Sequence, residues 1–439
     1  MSGAKASSVR RALENPDTAR AAWLAGAMIA NNVIGLLTAV VFARELSDYG
    51  ALASLGGYLI ILTVAGQAMQ VATAREGVLG HLGTGEELLA TMARWGRALL
   101  IFTFAATIVS VLLRDQIADL VGVRGGGGGP WAAALGIPTG CIYLAESVLR
   151  GALQSVGDYR GVGLSLVAEA TSRVVSGAPL GLIMGVGGAY LGSTVSYLFV
   201  TAYCTWRLIR QIRGAAETPS KRTDAPSFSR HVWRAAIPIV GLAVIQLLQN
   251  VDVIIAKHRM APALDNSYAA VAIAAKVLIW VAMGASFYIV PETSKRATAG
   301  EDTRGVLLRS LAIIGVCALP CLLIFAFGAH PLLAAVFGTK KAIASGSLLP
   351  LGAAFTVLAV TYMGVQYMLA LKESWFLIAI GLVAVVEPVL LLVGPRQPSG
   401  FALTILGIQA VGAILTYALA LRPRAKTPQH SEQPELLST

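Results

Sequence analysis

The sequence predicts an all-α membrane protein with about twelve transmembrane helices, set out as two six-helix bundles related by a pseudo-two-fold axis along the membrane normal. Three observations carry that expectation. Of 439 residues, 56% are hydrophobic and only 13% charged, a balance unlike that of soluble domains. The apolar residues gather into runs of about twenty, the length a helix needs to cross a bilayer at about 1.5 Å per residue. The later runs weakly echo the earlier ones, and because six is an even number the two sets share one orientation.

The runs fall at 21–42, 51–74, 96–113, 131–149, 162–184, 188–206, 234–255, 268–290, 306–327, 347–370, 375–393 and 401–421. Residues 1–20 are polar and read as a cytoplasmic N-terminal segment, not a cleavable leader. Asn15-Pro16-Asp17-Thr18 announces the first helix, with Asp17 or Thr18 as its cap. The segment 114–130 carries Gly125–Gly129 and reads as a flexible connector. Gly185–Gly192 reads as a tight connector, and Lys257–Ser267 as a polar break between two apolar helices. The basic stretch 207–233 is expected to be a cytoplasmic linker between an N-terminal bundle, 21–206, and a C-terminal bundle, 234–421. The polar stretch 422–439 reads as a cytoplasmic tail.

Orientation follows from charge. With the N-terminus inside, the inner segments hold 24 of the 34 Lys and Arg when Arg97, Arg234 and Arg309 at the inner ends of their runs are included, and the outer loops hold eight. That asymmetry predicts a multi-pass protein of the cytoplasmic membrane with both termini cytoplasmic. It also accounts for the net charge of +11 without a nucleic-acid partner. Trp23, Trp95, Trp131, Trp206, Trp233 and Trp375 sit at run ends, where an amphipathic ring prefers the lipid–water interface. Cys141, Cys204, Cys317 and Cys321 fall inside apolar runs without His or carboxylate companions, so they read as small core residues and no metal site is expected. No Gly-Lys-Ser/Thr loop follows a glycine-rich turn, so no nucleotide or other cofactor is expected.

The internal echo is short. Arg20-Ala21-Ala22 opens the first run and Arg234-Ala235-Ala236 the seventh. Ala43-Arg44-Glu45 is matched by Ala256-Lys257-His258, Tyr49 by Tyr268, and Arg75-Glu76 by Pro291-Glu292. A repeat of this kind places a site between two bundles, as in alternating-access carriers.

Ionisable groups at membrane depth survive only against a partner or a wet cavity, so they are the candidate functional residues. Arg173 and Lys276, one in each half, lie near the midplane and are the candidate cations of a site. Glu169 precedes Arg173 by four residues, on the same helix face, and can pair with it. Asp252 or Glu387 can pair with Lys276. Asn31, Asn32, Gln67, Gln70, Gln246, Gln249, Tyr362, Gln366 and Gln409 suit a polar substrate, and interhelical hydrogen bonds explain any one of them better. Of these, Asn31, Asn32, Gln70, Gln249 and Gln366, with Asp252, join the two cations as candidate substrate contacts. Glu146 and Glu387 are candidates for ion coupling, although Glu146 lies near the inner end of its run, where it could simply be wet. Glu169 and Arg44 complete the coupling and gating set, and Arg44-Glu45 and Arg75-Glu76 sit at run ends, where solvated pairs and gating pairs are equally expected.

Several motifs then point to a family. Phe42-Ala43-Arg44-Glu45-Leu46-Ser47-Asp48-Tyr49-Gly50 resembles the first-loop signature of polysaccharide (O-antigen type) flippases in the multidrug/oligosaccharidyl-lipid/polysaccharide exporter superfamily. Gln249-Asn250-Val251-Asp252, Tyr268 and Val290-Pro291-Glu292 resemble its seventh and eighth spans, and Leu149-Arg150-Gly151-Ala152-Leu153-Gln154 its fourth-to-fifth connector. Ser47 stands where a glycine is usual, and Asn266-Ser267 replaces a glycine-containing lead-in. Twelve spans in place of fourteen fit the peptidoglycan-precursor branch less well. The resemblance implies export of a lipid-linked (polyprenyl-diphosphate) oligosaccharide, with membrane lipids around it and a polysaccharide polymerase or glycosyltransferases as candidate partners. It implies transport, not an enzyme.

Three other readings are open to the sequence. A drug/cation antiporter on the same fold should have a cavity dominated by carboxylates. A carrier of the major facilitator type should show a Gly–Asp–Arg-type loop after the second span, and 76–94 has none. A membrane-embedded polymerase or glycosyltransferase needs acid/base groups beside a large outer loop, and the outer loops here are short.

Overall fold

The computed structural model describes residues 16–123, 128–214, 226–298, 301–371 and 373–421, and nearly all of them are helical. The N-terminal segment up to Asn15, Gly125–Gly127, the middle of the linker and the tail lie outside the described residues. The helices are α1 (Pro16–Glu45), α2 (Tyr49–Val78), α3 (Glu86–Leu112), α4 (Arg114–Val121), α5 (Gly129–Ser155), α6 (Tyr159–Gly214), α7 (Phe228–Arg234), α8 (Ala236–Arg259), α9 (Pro262–Thr298), α10 (Arg304–Phe337), α11 (Leu348–Ala370), α12 (Phe376–Val393) and α13 (Pro398–Ala420). Among the described residues eleven helices are long and apolar enough to cross a membrane. One of them, α6, is reversed at Gly185 into two arms, which makes twelve apolar segments among the described residues.

Packing repeats between the halves. In the first, α2 packs on α5, α5 on α6 and α3, and α1 on α6. In the second, α9 packs on α11, α11 on α13 and α10, and α8 on α12. Each pair has its counterpart six spans later, as a two-fold along the bundle requires. The seams between the halves break that symmetry. Helix α2 lies along α8, whereas α1, its counterpart's neighbour, touches α9 and α10 only sparsely. Below, "distal" means the face bearing the α1–α2 and α8–α9 loops, and "proximal" the face from which α1 starts.

Several sequence expectations need correction. The cap at Asp17 or Thr18 does not occur, because the helix already begins at Pro16. The α2 cap is Asp48, whose carboxylate accepts from Ala51 N–H at 3.2 Å. The Gly185–Gly192 connector is a reversal at one residue: Gly185 has φ 62°, a region only glycine enters readily, and the residues after it are helical. Gly188 and Gly192 serve the packing of the two arms, since a Cβ at either would overlap backbone atoms of the first arm, Leu180 O and Gly177 Cα. The break at Lys257–Ser267 shrinks to Met260-Ala261, with α8 running through Arg259 and α9 starting at Pro262. The connector 114–130 is partly folded as α4, held by Ser54 Oγ donating to Val121 O at 2.6 Å. The linker 207–233 is helical at both ends, because α6 continues to Gly214 and α7 starts at Phe228.

Five of the six tryptophans at run ends are exposed, as an interfacial ring should be, but Trp95 is buried. It stacks on His231 of α7 at 4.8 Å, meets Phe228 edge-on and donates to Pro226 O at 3.2 Å. Helix α7 is thereby fastened to the first half. Burial draws the His231 imidazole below its ordinary range, against the opposing pull of Glu76. Cys141 and Cys204 are core residues, whereas Cys317 is exposed on the outer surface of α10 and Cys321 half-buried.

Candidate functional site

The first half contains a buried ladder of four charges. Glu146 and Arg150 lie one turn apart on α5, and Glu169 and Arg173 one turn apart on α6. One Arg150 nitrogen, Nη2, stands 2.6 Å from Glu146 Oε1 and donates to Glu169 Oε2 at 2.9 Å; Nε donates to Ser165 Oγ at 2.8 Å. The Arg150–Glu146 contact is an ion pair without hydrogen-bond alignment. Glu169 uses its other oxygen to accept from Arg173 Nη2 at 2.6 Å. Arg173 also reaches Tyr197 OH at 3.2 Å and lies over the Tyr197 ring at 5.4 Å, while its Nε has no hydrogen-bond partner. Glu146 is sealed, not wet: it is fully buried. Arg150 is equally buried and is the residue that sequence reasoning left out of the site. The run ended at Leu149 by hydropathy, which put Arg150 in a connector, but α5 continues to Ser155.

The second half is built differently. Lys276 on α9 donates to Asn250 Oδ1 at 3.1 Å and lies 3.8 Å from Asp252 Oδ1, both on α8. It also lies over the Phe355 ring of α11 at 5.7 Å. Asp252 is held from its other side by Tyr268 OH, which donates to Oδ2 at 3.0 Å. Of the two pairings open to Lys276, the structure takes Asp252. Glu387 on α12 accepts from Gln409 Nε2 of α13 at 2.5 Å, and among the described residues no cation reaches it. Its other oxygen has no hydrogen-bond partner.

The uncharged candidates divide. Gln246, Gln249 and Asn250 are buried on the α8 face that meets α2, with Asn250 against Gly57, where a Cβ would come within 3.3 Å. Gln246 Oε1 and Gln249 Nε2 have no partner among the described residues. Gln366 donates to Tyr362 OH at 2.7 Å. Asn31, Asn32, Gln67 and Gln70 are half-buried on α1 and α2.

At the distal face the two halves are joined by side chains. Lys257 bonds Asp48 at 2.6 Å and Asp265 at 3.2 Å. Asn266 accepts from Gly50 N–H at 2.7 Å and donates to Ser47 O at 3.2 Å. Lys341 lies over the Tyr49 ring at 5.7 Å; burial pushes its ammonium down, opposed by Asp48 and Asp265. Arg44 pairs with no carboxylate there. It donates to Val336 O and Ala335 O at the end of α10, at 2.9 and 2.5 Å, which replaces the expected Arg44-Glu45 gating pair. Likewise Glu76 turns to His81, at 2.8 Å, and not to Arg75. Arg44 and Lys257, equivalent in the internal echo, thus each cross to the opposite half.

No family model matches the chain, and no curated relative does. Solved structures do. A lipid II flippase, MurJ, in an inward closed conformation is 15% identical with a TM-score of 0.71, covering 91% of this chain and 88% of its own. An inward-facing multidrug resistance MATE family transporter of the MOP superfamily is 14% identical with a TM-score of 0.66, covering 89% and 93%. A MOP superfamily transporter from Pyrococcus furiosus, described as having a binding pocket of reverse polarity, is 14% identical with a TM-score of 0.59, covering 92% and 95%. The chain therefore has the fold of MOP superfamily transporters.

Proposed function

We propose that the chain is an alternating-access flippase that exports a lipid-linked, polyprenyl-diphosphate oligosaccharide across the cytoplasmic membrane for cell-surface polysaccharide synthesis. One observation carries the reading. In both charge clusters the acids are sealed and the most exposed member is a cation, Arg173 in the first and Lys276 in the second. Glu146 and Glu387 are at 0% and Asp252 at 1%, whereas the Arg173 side chain is 30% exposed and that of Lys276 13%. What the clusters offer outward is positive charge, which suits a diphosphate; an organic cation would need the carboxylates turned out.

The depths agree with a shared station for the head group. Arg173 lies fourteen residues into α6 from the proximal side, and Lys276 fourteen into α9 from the distal side. At helical rise both are about 21 Å along their helices. The two cations form the diphosphate contact, with Asn31, Asn32, Gln70, Gln249, Asp252 and Gln366 serving sugar hydroxyls. The polyprenyl tail stays in lipid. Glu387, which no described cation balances, is the ion-coupling group; Glu146 is the second candidate. The distal face is the outer one by the positive-inside rule, so the Asp48–Lys257–Asp265 contacts close the outer gate.

The test is flipping of a fluorescent polyprenyl-diphosphate glycan in proteoliposomes, with an organic cation as the competing cargo. Arg173→Gln should stop glycan movement; movement of the organic cation but not the glycan would establish the drug-antiporter reading in its place. In cells, a cysteine at Thr339 should react with an impermeant thiol reagent, and one at Gly214 should not. Reaction at Gly214 would reverse the orientation and the direction of export.

A further inference from the structure

We propose that Arg150 is the positioning residue of the anion site: by occupying one oxygen of Glu169 it keeps Arg173 available to a phosphate. The inference rests on the diphosphate reading of Arg173. An arginine and a carboxylate one helical turn apart tend to close as a two-bond fork, with two guanidinium nitrogens on two oxygens. Such a fork between Arg173 and Glu169 would quench the cation. It does not form here, because Glu169 Oε2 is bonded to Arg150 and only Oε1 is left for Arg173. The visible result is a buried Arg173 Nε with no hydrogen-bond partner among the described residues, on a side chain that elsewhere remains partly exposed.

Arg150 can do this only because it is itself balanced. Its Nη2 lies between the two carboxylates, and Ser165 takes its Nε. Glu146 supplies the second negative charge, so the four groups sum to zero while the charge of Glu169 is divided between two guanidiniums. The arrangement makes Arg150 a buried residue that acts through Glu169 and touches no substrate.

The experiment is calorimetric titration of inorganic pyrophosphate into the full chain in detergent micelles at neutral pH. Arg173→Gln should abolish binding; if it binds as the parent does, or if the parent binds no pyrophosphate, the diphosphate reading falls and this inference with it. The neutral double change Glu146→Gln/Arg150→Gln removes one charge of each sign. It should stay monodisperse with an unchanged melting temperature yet bind about tenfold more weakly, because Arg173 then closes on Glu169. Binding equal to the parent would overturn the proposal while leaving the Arg173 reading standing. Glu169→Gln alone, which leaves Arg150 with Glu146, should strengthen binding, and in that background the double change should have no further effect, since Arg150 acts only through Glu169. Unchanged or weaker binding in Glu169→Gln would overturn the proposal even if the double variant failed to fold.

Discussion

In the first half, two arginines answer two glutamates, and every member of the ladder touches a charge of opposite sign. In the second half, Lys276 answers Asp252 alone, and the remaining contacts come from neutral groups: the Tyr268 hydroxyl on Asp252, the Gln409 amide on Glu387 and, accepting from Lys276, the Asn250 carbonyl oxygen. The two bundles repeat one packing scheme but not one electrostatic scheme. A ladder balanced by ion pairs fails as a unit when one member is lost, because the charge left behind is buried and uncompensated. A cluster completed by amides and hydroxyls tolerates a change of charge state, since its neutral partners can serve either form. The first arrangement suits holding, and the second suits exchanging an ion.

That contrast can be broken experimentally. The largest effect should come from Arg150→Met alone, which strands the buried Glu146 carboxylate and leaves Glu169 with Arg173 only, and should cost about 3–5 kcal/mol. Denaturant unfolding or thermal scanning would read this, and a loss under about 1 kcal/mol would remove the distinction between the halves. Lys276→Met should cost less stability, about 1–3 kcal/mol, because Asp252 retains the Tyr268 hydroxyl. It should nevertheless abolish flipping at normal abundance, while Lys276→Arg, which keeps the charge, should retain part of it. Glu387→Gln should fold as the parent and flip, but without dependence on an ion gradient, measured in proteoliposomes with imposed gradients. A parent protein that is itself indifferent to gradients would leave substrate concentration as the driving force and remove ion exchange from the second half. The smallest effect should be Gln366→Ala, less than about threefold on flipping, because its amide is already engaged with the Tyr362 hydroxyl. A loss equal to that of Lys276→Met would place the sugar contact above the phosphate contact.

The spans were legible because crossing a bilayer demands a long apolar run, and chain length then fixes their number. The Glu169–Arg173 pair was legible because a four-residue spacing on a helix determines which side chains meet. Arg150 was not: Glu146 precedes it by one turn, but the run ends at Leu149 by hydropathy, its other partners Ser165 and Glu169 lie on α6, and nothing local marks a charge at a run end as buried. Trp95 misled for a related reason: a ring at a span end suits the interface equally well whether lipid or another helix covers it. The polar break at Lys257–Ser267 was overestimated because Lys, His and Arg read as loop by hydropathy, while helix geometry accepts all three, and basic groups favour a helix C-terminus. The contacts of Arg44 were not legible either, because its acceptors are backbone carbonyls of α10, which no sequence pattern announces.

The docking of α7 under Trp95 has a mechanical consequence. Helix α7 ends at Arg234, α8 begins at Ala236, and Ala235 between them is buried against the first half. The second bundle is thus tethered to the first at a fulcrum, with α8 as the lever arm. That arm has 24 residues, a length of about 36 Å. A tilt of about ten degrees about Ala235 would carry the far end about 6 Å, given that length. Lys257 rides at that end, so a rotation too small to unpack either bundle would be enough to pull it from both Asp48 and, across the seam, the rest of the first half.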